Sequence, residues 1–209
     1  MKRSVVVLSA GVLVLCSIVT RVGAHAPQSP APRPPLPLRM TAWAVNMSNI
    51  ATGANATVEI NVTRWSTDAE RTALITTFLE KGQDALLSAL QKSTAHGRMR
   101  YPGVTGPDPQ NMRLGYDLRY AWHVPLPEGG DRIVIALDRY IGFREAVAQP
   151  RISDYPFTFI EIHLPRGGGA GEGKMALATR LSFDKQKNVI ELENYSSEPV
   201  RLQQIAVQK

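Results

Sequence analysis

The chain is expected to fold as an α+β domain on an antiparallel β-sheet, free to curl into a partial barrel, with one helical hairpin inserted after the second strand. Three observations point there. Short segments of alternating apolar and polar residues recur between residues 40 and 207, divided by glycine, proline and asparagine turns. One capping box, Thr67 to Glu70, opens the one stretch with helical periodicity. No fixed-period repeat and no second boundary divides residues 40–209, so a single core is expected.

The elements follow in order. Residues 40–47 and 58–65 alternate and flank the turn-rich SNIATGANAT, the pattern of a β-hairpin. In the second of them Val58, Ile60 and Val62 share one face and Glu59, Asn61 and Thr63 the other, as in a half-buried strand. A helix should start after Thr67, with Leu74, Ile75, Phe78 and Leu79 on one side. Gly82 is placed to end it in a left-handed conformation, and Asp84 to cap a shorter helix whose apolar face is Leu86, Leu87 and Leu90. Strands succeed one another from Gly97 onward. Leu114, Tyr116, Leu118, Tyr120 and Trp122 alternate with Gly115, Asp117, Arg119, Ala121 and His123. Pro125, Pro127, Gly129 and Gly130 then turn the chain into residues 132–140. Residues 157–164 and 174–183 flank a glycine-rich loop, and residues 189–195 and 200–207 flank Ser196-Ser197-Glu198-Pro199.

Upstream of this body, residues 1–24 read as an export signal. Lys2 and Arg3 precede an apolar run from Val5 to Val19, and Val22-Gly23-Ala24 presents small residues for cleavage before His25. The run is shorter than the roughly 20 residues that span a bilayer, which favours cleavage over retention as an anchor. Cys16, the only cysteine, lies inside the signal and follows Leu15, too large for a lipoprotein cleavage site. A mature domain without cysteine must hold together by burial rather than disulfides. Residues 25–39 form a proline-rich linker, expected to be disordered, with prolines at 27, 30, 32, 34, 35 and 37. Cleavage removes Lys2, Arg3 and Arg21 and no acid, so the formal charge of +6 becomes +3. That value, with no basic cluster denser than Arg98 and Arg100, argues against a nucleic-acid partner. Asn46, Asn55, Asn61 and Asn194 begin N-x-S/T sequons, chance matches in a bacterial protein.

No catalytic template fits. Gly168-Gly169-Ala170-Gly171-Glu172-Gly173-Lys174 approaches a phosphate-binding loop, but Met175 stands where a magnesium-holding hydroxyl belongs and the following residues alternate as a strand. The motif G-x-S-x-G is absent, and His25, His96, His123 and His163 lack the spacing of a zinc site. Glu191 and Glu193 read as a charged exterior on one strand. Two clusters remain as candidates. Tyr116, Tyr120 and Trp122 share a stripe that could stack on a flat ligand, although Leu114 and Leu118 on the same stripe favour core packing. His123, His163, Glu161 and Asp117 would meet as a metal or acid–base site if their strands are neighbours and their polar faces agree.

Several segments together resemble an uncharacterised family of exported bacterial proteins. They are Arg64-Trp65-Ser66-Thr67-Asp68, Lys81-Gly82-Gln83-Asp84-Ala85-Leu86-Leu87, Leu114-Gly115-Tyr116, Asp154-Tyr155-Pro156-Phe157 and Gly171-Glu172-Gly173-Lys174-Met175. The resemblance implies a bacterial, exported, single-domain protein and carries no activity. The expectation is therefore a non-catalytic ligand- or protein-binding domain of the cell envelope, periplasmic or secreted, with no cofactor. A membrane contact is expected only if the signal is retained. Two other readings stay open: a metal-dependent or acid–base hydrolase using His123, His163 and Glu161, and a signal-anchored structural envelope protein.

Overall fold

Nine strands of one sheet carry inward-facing apolar positions, and they close on one another almost completely. A computed structural model describes residues 33–47, 53–102, 115–127, 129–139, 141, 157–177, 180–184, 189–193 and 200–208. The elements are β1 (Leu38–Asn46), β2 (Asn55–Val62), α1 (Asp68–Lys92), β3 (Gly97–Arg100), β4 (Tyr116–Leu118) and β5 (Tyr120–Pro125). They continue with β6 (Gly130–Leu137), β7 (Thr158–Pro165), β8 (Gly171–Leu177), β9 (Arg180–Asp184), β10 (Val189–Glu193) and β11 (Val200–Gln208). Every pairing is antiparallel, in the order β4-β3-β2-β1-β11-β8-β7-β6-β5, with β9 and β10 paired separately. The architecture is a mostly-β, nearly closed antiparallel barrel with one helix. Leu114 and residues 142–156 lie outside the described residues, as do residues 1–32 with the expected signal and most of the expected linker.

The ends of the sheet meet at Arg119. It separates β4, which pairs with β3, from β5, which pairs with β6, and its own N–H donates to Ala136 O at 2.9 Å. Leu118 and Ala121 are both buried in the interior, so two successive residues, Arg119 and Tyr120, fall outside it. This is a bulge, and it re-aims every side chain beyond it. The sequence-based expectation of one uninterrupted alternation from Leu114 to His123 is corrected here.

Inside the barrel Met40, Ala44, Val58, Ile60, Met99, Leu118, Ile133, Ile135, Ile160, Ile162, Met175 and Leu202 are at most 1 % exposed. A barrel of about eight strands leaves an interior just wide enough for its own side chains. Room is shared by shape: Gly173 sits opposite Ile162 and Leu202 in register. The glycines at 171 and 173 thus belong to strand β8, which starts three residues earlier than the expected strand at Lys174, so the expected glycine loop is shorter and a phosphate loop is not formed there.

The helix lies on the outer face of β5–β7. Leu86 and Leu90 are buried against Ala136 and Phe157, with Leu74, Phe78, Tyr120 and Phe159 packed around them, while Leu79 is half exposed. Thr67 caps it as expected: Glu70 N donates to Thr67 Oγ1 at 3.2 Å and Thr67 N to Glu70 Oε2 at 2.8 Å. Thr67→Ala is expected to lower stability by about 1 kcal/mol in a urea melt; no change would show that tertiary packing alone places the first turn. Gly82 interrupts the helix with φ 80° and ψ −169°, a conformation reserved for glycine.

Candidate functional site

Both ends of α1 return to the barrel seam. Before the helix, Ser66 N donates to Ala121 O at 2.7 Å and Ala121 N to Ser66 Oγ at 3.1 Å. After it, Ser93 Oγ reaches Arg119 O at 3.1 Å. A straight helix of 25 residues would be about 37 Å long and could not do both. The break at Gly82 reverses the chain and leaves a cleft of about 200 Å³ between helix and seam. Ser66, Glu70 and Ser93 line its polar side with His96 and Arg119, and Ala73, Leu74, Thr77 and Ala89 form the remainder.

Each polar group is held in place. The Glu70 carboxylate accepts from the Thr67 backbone and hydroxyl and from Arg64 Nη2 at 2.9 Å. These bonds, the Thr67 N–H first, hold its pKa down at about 2 against the opposing effect of burial. Arg119 donates through Nε to Asp138 Oδ2 at 3.0 Å and through Nη1 to Ser93 O at 3.0 Å. His96 is pinned by its backbone: its carbonyl accepts from Thr63 N and Arg64 N, and its N–H donates to Leu118 O at 2.7 Å.

The His96 ring is the exception. It is 2 % exposed, and neither Nδ1 nor Nε2 makes a hydrogen bond of good geometry, although the Thr94 backbone and the Glu70 carboxylate both act on the ring. Its Nε2 lies 3.6 Å from Glu70 Oε2, beyond a good hydrogen bond. Burial lowers its pKa, the Arg64 charge adds to this, and Glu70 opposes it. The folded state therefore favours neutral His96, and the unfolded chain binds a proton more readily near pH 6.5. Stability is expected to fall as the pH drops below about 6.5, ahead of any loss from Glu70 protonation. Thermal melts at pH 7.5 and 5.5 test this: His96→Gln should flatten the difference, and an equal slope in both proteins would refute the assignment.

The sequence-derived candidates fall elsewhere. His123 points inward beside Ala121, 5 % exposed, with Nε2 2.6 Å from Asp131 Oδ1 and its ring 5.9 Å from Trp65. Its register partner Ile133 pairs with Ile162, whereas Glu161 and His163 alternate to the opposite, outer face. Glu161 bonds His163 Nε2 at 2.8 Å and accepts both Arg132 Nε and Nη2. Burial raises the Glu161 pKa, but these bonds outweigh it and keep the carboxyl below its ordinary value. Asp117 pairs with Arg98 and Arg119. The neighbouring strands thus bring Glu161 and His163 together but leave His123 on the other side of the sheet, and no cluster of three or more potential metal ligands occurs among the described residues.

The aromatic stripe is divided by the Arg119 bulge. Tyr116 packs against the barrel interior. Tyr120 and Trp122 face outward, stacked with centroids 6.4 Å apart and planes 11° from parallel. Burial raises the Tyr120 pKa. The sequence signals neither Glu70 nor His96 as a site. The capping box announces Glu70 as structural, and only the closure of the barrel carries His96 to it.

Fold and site define a nearly closed antiparallel β-barrel with a small lateral cleft under its helix. Comparison of the chain with protein-family models, curated proteins and solved structures finds no match to any of them. No helix among the described residues is long and apolar enough to cross a membrane.

Proposed function

We propose that the chain is an exported bacterial binding protein, non-catalytic, that holds a small polar molecule in the seam cleft. The observation that carries this reading is the buried His96 ring lining the cleft, neither nitrogen of which makes a hydrogen bond of good geometry. An unsatisfied buried polar atom costs about 1–3 kcal/mol, and a ligand that satisfies it recovers that amount. Neutral imidazole offers one N–H and one acceptor. Together with the ionised Glu70, it suits a hydroxyl, amide or amine that both donates and accepts. The aliphatic wall of Ala73, Leu74 and Ala89 takes the rest of the molecule. A cleft of about 200 Å³ lies below the roughly 300–1,000 Å³ of pockets for drug-sized ligands and suits a small metabolite.

In this reading the fold is α+β, its helical hairpin being the outer wall of the site. Residues 1–24 deliver the domain to the periplasm or medium. Burial of Asn46, 1 % exposed, supports the chance origin of at least that sequon. The hydrolase reading loses the convergence of His123 with His163 and Glu161 on which it depended.

The test is native mass spectrometry on protein expressed with its own signal and recovered from the periplasm. A polypeptide beginning at His25 with a small non-covalent component, lost in a folded His96→Leu variant, is the expected result. A component that persists in the variant, or its absence from the parent protein, overturns the cleft assignment. An unprocessed, membrane-bound product overturns soluble export and favours the anchored structural protein.

A further inference from the structure

Outside the cleft, Arg33 and Pro34 of the proline-rich segment touch the barrel. The described residues begin at Arg33, five residues before β1. Pairing of Leu38 with Val62 sets the preceding residues alongside the connection that leaves β2. There the Trp65 indole, buried at 8 % exposure, donates Nε1–H to Pro34 O at 3.3 Å. One residue earlier, the Arg33 guanidinium stands 5.0 Å from the Trp122 ring centroid, with Arg71 at 5.5 Å from the same ring.

We infer that Trp65 and Trp122 form a recognition surface for an Arg-Pro segment, occupied by the chain's own Arg33 and Pro34 as a displaceable strap. Consecutive prolines lack N–H groups, so their carbonyls have few partners within the segment and are open to an indole donor. Proline also limits the conformations lost on docking, which is why aromatic grooves with a polar tip recur as receptors for such sequences. The arginine adds a cation over an indole face, worth about 0.5–1 kcal/mol at an exposed site. The surface is held by its own contacts. Trp122 is held from below by its stack with Tyr120, and Arg71 both caps the ring and bonds the Tyr120 side chain. Trp65 is fixed against His123. The two sites are separate: the cleft reading does not depend on the strap, nor the strap on a ligand.

Arg33 and Pro34 fall within the expected linker, and the two aromatic side chains that hold them lie outside the linker's own sequence.

Tryptophan fluorescence tests the strap in the full mature chain. In a Trp43→Phe background the emission reports Trp65 and Trp122 alone. Arg33→Ala with Pro34→Gly, both outside every strand, should shift that emission to the red and raise its quenching by acrylamide. A synthetic peptide of residues 27–38 should then restore the parent emission. The same peptide carrying Arg33→Ala should bind about two- to fivefold more weakly, the equivalent of one exposed cation–π contact. Unchanged emission and quenching in the double variant, with the far-ultraviolet dichroism also unchanged, overturn the strap. A peptide without effect at millimolar concentration overturns the recognition surface. Should the double variant lose its fold, the single Arg33→Ala chain decides, since unaltered quenching there excludes a docked arginine.

Discussion

Arg119→Ala lowers the stability of the folded chain by about 3–5 kcal/mol, because it leaves the buried Asp138 carboxylate without its principal countercharge. The Asp138 side chain is only 6 % exposed, and Arg119 Nε approaches its Oδ2 at 3.0 Å. Arg139, at 3.7 Å on the other oxygen, is half exposed and cannot replace it. The same guanidinium bonds Ser93 O, so the truncation also loosens the C-terminal end of α1 from the seam. For a domain of this length each kcal/mol moves the melting temperature by about 2–4 °C, giving a drop of roughly 6–20 °C. Urea melts of the parent, Arg119→Ala and Arg119→Lys proteins measure it. Lysine should recover part of the loss, since it restores the charge but not the fork that spans Asp138 and Ser93. A change below about 1 kcal/mol in the alanine variant would show that the barrel closes without this residue.

Gly97→Ala is the other change with a large expected effect. Gly97 opens β3 opposite Val62 with φ 150°, and a methyl group built there falls on the Asn61 carbonyl oxygen and 3.0 Å from Val62 Cα. Both obstacles are backbone, so relief requires β2 and β3 to part. Strain and overpacking each cost about 1–3 kcal/mol, and their sum is expected to exceed roughly 3 kcal/mol. Gly53 provides the control. Its φ is 80° but nothing lies within 4 Å of the added methyl, so Gly53→Ala should cost only the backbone term, about 1–2 kcal/mol. Equal losses at the two positions would mean that backbone conformation, not close approach of strands, accounts for Gly97. Loss of the β3 pairing should also disturb His96, the residue just before it, whose backbone bonds Thr63, Arg64 and Leu118.

The contrast between these two residues marks where sequence reading stops. Gly97 carries no local sign of its role, because the carbonyl it avoids is 36 positions away in the chain. Thr67 and Glu70 lie three positions apart, and their reciprocal bonds were legible from spacing alone. The same limit explains the aromatic stripe. Alternation assigns Tyr116, Tyr120 and Trp122 to one face only while the period of two is unbroken, and one extra residue at Arg119 reverses the later part. His123 is carried inward by that slip, which is why it does not join Glu161 and His163.

By itself the sequence determined what depends on neighbours a few residues apart: the alternating strands, the capping box, the reversal at Gly82 and the inward sets such as Val58, Ile60 and Val62. These follow from backbone periodicity, steric limits and local hydrogen bonds, which a short window contains. Only the tertiary structure decided which strands pair, that the sheet nearly closes at Arg119, and that His96 and Glu70 share a cleft while Trp65 and Trp122 receive the proline segment. Such groupings arise when burial of apolar faces brings distant strands together. Alternation specifies which way a side chain points but not what stands opposite it.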